Sequence, residues 1–69
     1  MTTEGIGDAV RKQRKLLRMN QSDLAMVSGT GVRFISDLEN GKDSCELGKT
    51  LQVLRNLGMR ITISTQGEL

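Results

Sequence analysis

The sequence predicts an all-α domain of four to five short helices, with a single β-strand at its C-terminal end. Three observations carry this. Apolar residues recur at helical spacing over most of the chain, Gly29-Thr30-Gly31 interrupts that spacing between two short segments, and from Met59 the pattern changes to alternation. With 69 residues the chain forms one domain, 1–69, without internal repeat or linker. A domain of this size has a barely adequate core of its own. Cys45 is alone and there is no histidine, so neither a disulfide nor a structural zinc site is expected to supplement it. Association between copies is the remaining support.

The elements follow in order. From roughly Ile6 to Arg18, the residues Ile6, Val10 and Leu17 fall on one arc at about 100° per residue, with Arg14 beside them. Asn20 suits the cap of a second helix reaching about Ser28, with Asp23 in its first turn and Leu24 and Val27 inward. Glycine accepts the sharp turn at 29–31 cheaply. A third helix begins near Val32, turns Ile35 and Leu38 inward and ends at Asn40-Gly41. Asp43 or Ser44 is expected to cap a fourth, in which Leu47, Leu51, Leu54 and Leu57 recur at i, i+4, i+7 and i+10. Gly58 stands at its C-terminal end.

Composition narrows the function. Net charge is only +2, but the first helix carries Arg11, Lys12, Arg14, Lys15 and Arg18 against Asp8 alone, which hints at a polyanion partner or a solvated basic face. An enzyme is not expected, since there is no histidine to act as base for Cys45 or a hydroxyl, and the chain has little room for a pocket. No cofactor, metal or small-molecule substrate is implied. No apolar run is long enough to cross a bilayer and no signal-peptide pattern is present, so no membrane role and a cytoplasmic location are expected, in keeping with the free thiol.

The stretch NQSDLAMVSGTGVRFISDLENGK, residues 20–42, resembles the helix-turn-helix of the Cro/lambda-repressor (Xre-type) DNA-binding domains. The matching positions are Gln21, Leu24, Ala25, Gly29, Ile35, Leu38, Glu39, Gly41 and Lys42. Ala25 allows close approach of the two helices, and Ile35 and Leu38 seat the second against the core. The resemblance spans about Ile6 to Gly58. It implies that Gln21 bonds a phosphate from the start of the second helix, and that Asn40 and Lys42 grip the DNA backbone across the groove. It also implies that Thr30, Val32, Arg33, Ser36 and Asp37 lie over base edges in the major groove. Arg33 can bond guanine O6 and N7 together, a contact worth about 1–3 kcal/mol of discrimination, and Val32 can pack on a thymine methyl. Gly31 stands where the family usually caps this helix with Ser or Thr, and Phe34 where a small or polar residue is common.

Arg14 and Glu39 both lie on apolar arcs, where an unpaired charge is costly, so the two are expected to pair across helices 1 and 3. Phe34, the sole aromatic, is expected to pack at the edge of the core. Cys45 lies near the start of the fourth helix, where the dipole can lower a thiol pKa, although a small buried side chain is the better reading.

In the last segment Met59, Ile61 and Ile63 alternate with Arg60, Thr62 and Ser64, the pattern of a strand with one buried face, before a loose tail at 65–69. Nothing else in the chain has strand character. Its partner is therefore expected to be the same strand, residues 59–64, of a second molecule, giving a homodimer whose two recognition helices suit a palindromic operator with half-sites roughly 34 Å apart. A body of this kind followed at once by LGMRITI resembles the Hip-type antitoxins, small repressors that autoregulate an operon and bind a kinase-like toxin. The tail contains no Trp for docking such a partner. Phage-type repressors and restriction-system controller proteins share the same body. A protein-binding module that keeps the fold without DNA affinity is the alternative of another class.

Overall fold

The computed structural model describes residues 1–66, so residues 67–69 of the expected tail lie outside the described residues. Among the described residues four helices form, α1 (Thr3–Leu16), α2 (Gln21–Ser28), α3 (Val32–Glu39) and α4 (Leu47–Asn56). Helix α3 packs against α1 and α2, and α4 packs against α2. The core between them consists of Val10, Leu24, Ala25, Ile35, Leu38, Val53, Leu54 and Leu57.

Helix α1 starts and stops earlier than the periodicity suggests. Thr2 is its cap, with Oγ1 accepting from Gly5 N at 2.9 Å, and Glu4 in the first turn complements the helix dipole. At the other end Arg18 takes a left-handed φ of 58°, and the chain turns away. Leu17 sits in that turn and is exposed, so the buried residues of α1 are Gly7, Val10 and Arg14.

Helix α2 opens with a reciprocal cap. Asn20 Oδ1 accepts from Asp23 N at 2.7 Å while Asp23 Oδ2 accepts from Asn20 N at 3.0 Å. Its buried residues are Leu24, Ala25 and Ser28, and Val27, expected inside, is exposed. Wedged between α3 and α4, this short helix buries the 24/25/28 arc, and Val27 falls outside it.

All four helices end alike. After α2, α3 and α4 a glycine (Gly29, Gly41, Gly58) adopts positive φ, and the next amide reaches back to a carbonyl five residues earlier. Arg18 fills that place after α1, where Met19 N donates to Arg14 O at 3.1 Å.

The start of α4 corrects two expectations. Neither Asp43 nor Ser44 caps it; Glu46 does, without a side-chain hydrogen bond. Leu47 is 65% and Leu51 41% exposed, while Thr50, Val53, Leu54 and Leu57 face the core. The buried set follows i, i+3, i+4, i+7, because α2 meets α4 on that side. Thr50 can join it because its hydroxyl donates to Glu46 O at 2.9 Å, leaving the methyl to pack.

Beyond Gly58 no strand forms within the chain among the described residues. Met59 N closes α4 on Leu54 O at 2.9 Å, and no backbone bond from Arg60 to Ser64 to another part of the described chain exists. Met59 and Ile61 pack on the core while Arg60 and Thr62 are exposed, so the alternation holds there. Ile63, expected on the buried face, is 89% exposed within the single chain.

Candidate nucleic-acid interface

Helix α2, the turn at 29–31 and helix α3 form a unit in which α3 is buried along one side and open along the other. Ile35 and Leu38 anchor it, and Val32, Arg33 and Asn40 are exposed with Ser36 and Asp37 half-buried. Arg33 pairs with no carboxylate among the described residues. Its guanidinium is thus available at the N-terminal end of α3. Lys42 is exposed and its ammonium lies 3.4 Å from Asp37 Oδ2, so these two side chains meet each other across the end of α3. Thr30 is placed differently from the rest of the set: its Oγ1 is buried and bonds nothing among the described residues.

Gln21 also turns inward in part. Its Nε2 donates to Glu39 Oε1 at 3.2 Å, which leaves the amide oxygen and a second N–H for other contacts. Glu39 is the centre of a buried polar cluster. Arg14 grips its carboxylate with both prongs, Nε to Oε2 at 2.6 Å and NH2 to Oε1 at 2.9 Å, and turns its remaining nitrogen to Met19 O at 2.9 Å. Burial alone pushes the Glu39 carboxyl up. The hydrogen bonds from Arg14 and Gln21 and the charges of Arg14 and Arg11 outweigh it and hold the group below its ordinary value. The hydrogen bond to Glu39 likewise holds the Arg14 guanidinium above its ordinary value, against the effect of burial.

Several contributors carry no obvious sequence signal. Gln52 Nε2 donates to Ser28 O at 2.7 Å, fastening α4 to the end of α2 just before the turn. Gln13 Nε2 donates to Leu57 O at 3.1 Å and ties α1 to the end of α4. Arg11 donates to Glu39 O at 3.2 Å and to Asn40 Oδ1 at 3.4 Å. Gly7 also escaped the sequence reading, because a glycine inside a helix does not by itself mark a close approach: Gly5 and Gly48 are helical too and meet no other backbone. A Cβ at Gly7 would collide with the carbonyl oxygens of Leu38 and Glu39.

Phe34 packs on the core edge with the Lys49 ammonium 5.8 Å from its ring centroid. Cys45 precedes α4 instead of starting it, and burial together with the charge of Asp37 pushes its thiol up, so no dipole-lowered thiolate is present.

The sequence profile of helix-turn-helix proteins matches residues 10–62. The chain belongs to the Xre-type helix-turn-helix family. The matched span of this helix-turn-helix protein takes in α2, the turn, α3 and α4, and runs into the segment after Gly58. The chain is 49% identical over 67 residues to the uncharacterized HTH-type transcriptional regulator y4mF of Sinorhizobium fredii (strain NBRC 101917 / NGR234), covering 97% of this chain and 88% of that protein. Among the described residues of the helix-turn-helix protein, no helix is long and apolar enough to cross a membrane.

Proposed function

We propose that this protein is a DNA-binding transcriptional regulator, acting as a homodimeric repressor on a palindromic operator. One observation carries the DNA reading: α3 is seated by Ile35 and Leu38 while Val32 and Arg33, which pairs with no carboxylate among the described residues, project from its N-terminal end. In that placement Val32, Arg33, Ser36 and Asp37 face base edges, and Gln21, Asn40 and Lys42 take the phosphates. Thr30 would then contribute its position at the turn, its hydroxyl being turned inward. Binding should be measured on a duplex from the gene's own promoter at two salt concentrations. Salt-sensitive, sequence-selective binding that Arg33→Ala weakens by about 1–3 kcal/mol supports the reading. No binding to any duplex at low salt leaves a protein-binding module in its place.

The dimer reading is supported by residues 59–64, whose apolar side chains alternate and whose backbone groups from Arg60 to Ser64 lack backbone partners within the described chain. Pairing with the same segment of a second copy would join those groups and cover Ile63. Sedimentation should then show a dimer that Thr62→Pro, by removing a ladder donor, weakens. A well-folded monomer at micromolar concentration rejects it. The finest reading is the antitoxin of a kinase-type toxin pair that regulates its own operon. It draws on LGMRITI directly after α4. A kinase-like reading frame beside the gene, with a product that co-purifies, supports it; a restriction endonuclease there favours a controller protein.

A further inference from the structure

Helix α1 meets the C-terminal end of α3 along a polar row. Glu4, Gly7, Arg11 and Arg14 recur at three- and four-residue spacing and so share one face. Gly7 lies against the carbonyls of Leu38 and Glu39, Arg14 holds the Glu39 carboxylate, and Glu4 backs onto Gly41. Arg11 reaches furthest. One NH2 nitrogen lies 3.2 Å from Glu39 O and 3.4 Å from Asn40 Oδ1, and its Nε is 3.6 Å from Glu39 Oε1.

A guanidinium carries only donors, so the end of the Asn40 amide that faces Arg11 is its oxygen. The NH2 end is thereby directed away from Arg11, and it bonds nothing among the described residues. Phosphate oxygens only accept hydrogen bonds, so a flipped Asn40 would present them with an oxygen. The Arg11 charge itself is occupied by the Glu39 carboxylate and by the negative end of the α3 dipole.

We propose that Arg11 is a positioning residue for DNA-backbone binding, fixing Asn40 as a hydrogen-bond donor toward a phosphate. This rests on the reading of the protein as DNA-binding. Because phosphate contacts are independent of sequence, a labelled duplex of mixed sequence is a sufficient probe, followed by fluorescence anisotropy at low and moderate salt. Arg11→Met and Asn40→Ala should each weaken binding about five- to tenfold, and the double variant should bind no more weakly than Asn40→Ala alone. The salt dependence of Arg11→Met should match the wild type, since a neutral amide displaces no counterion. A salt slope lower by about one, or a double variant weaker than either single, would mean that Arg11 touches phosphate directly, and overturns the proposal. If Arg11→Met does not fold, Asn40→Asp replaces it. That change gives Arg11 a charged acceptor, so its melting temperature should equal or exceed that of Asn40→Ala while its duplex affinity falls below it; a lower melting temperature overturns the pairing. Wild-type protein that binds no duplex at low salt removes both the DNA reading and the positioning role. Wild-type binding that Arg11→Met leaves intact removes the positioning role alone.

Discussion

The two ends of α3 are held in opposite ways. At its N-terminal end Gly31 provides no side-chain cap, a Cβ there would meet nothing within 4 Å, and Val32 and Arg33 project outward. At its C-terminal end the carboxylate of Glu39 receives Arg14 and Gln21, with Arg11 nearby, and Gly41 is pressed on Glu4. Within eight residues, one end has few obligations to the rest of the chain and the other has many. The difference separates two roles: the fixed end holds α3 to the body, and the open end leaves Val32 and Arg33 exposed, as the proposed recognition role requires.

The largest effect should come from dismantling the fixed end. Arg14→Ala leaves Glu39 buried without its two-pronged partner and should cost about 3–5 kcal/mol in urea denaturation. A loss below about 1 kcal/mol would show that the pair behaves as a surface contact and that the two ends do not differ. Gly7→Ala forces a methyl onto the carbonyls of Leu38 and Glu39 and should cost about 1–3 kcal/mol. Acid probes the same cluster without mutation. The Glu39 carboxyl is held below its ordinary value of 4.5, so the folded state binds its proton less readily than the unfolded chain does. Its stabilising contribution is complete above that value and is lost as pH falls below 4.5 toward the folded-state pKa. Glu39→Gln should flatten this acid limb in a pH series of melting temperatures. The smallest effect belongs to the open end: Gly31→Ser supplies a capping hydroxyl in unobstructed space and should stabilise by a few tenths of a kcal/mol.

How far the sequence was legible follows the same division between local and distant causes. The Asn20 cap, the turn glycines and the inward faces of α2 and α3 at Leu24, Ala25, Ile35 and Leu38 depend on neighbours a few residues away, and local sequence announces them, whereas the caps of α1 and α4 at Thr2 and Glu46 were not anticipated. Errors arose where another helix decides. Val27 and Leu51 are apolar at plausible spacing, yet the packing of α2 on α4 selects Ser28, Thr50 and Val53 for the interior. Gln13, Gln52 and Arg11 look like solvated polar residues until distant backbone carbonyls come within reach. Of the candidate interface, the outward side of α3 could be laid out from spacing, whereas the inward turn of the Gln21 amide and of the Thr30 hydroxyl depends on the packed body.

Gly7 has a practical consequence for protein engineering. Its contact lies on Leu38 and Glu39, so a graft that replaces the whole of α3 with a foreign helix would also replace the surface against which the first helix was shaped. Exchanging only Val32, Arg33 and Ser36 leaves that seam whole. On the proposed reading of α3, the scaffold could then be re-addressed to another sequence without being rebuilt.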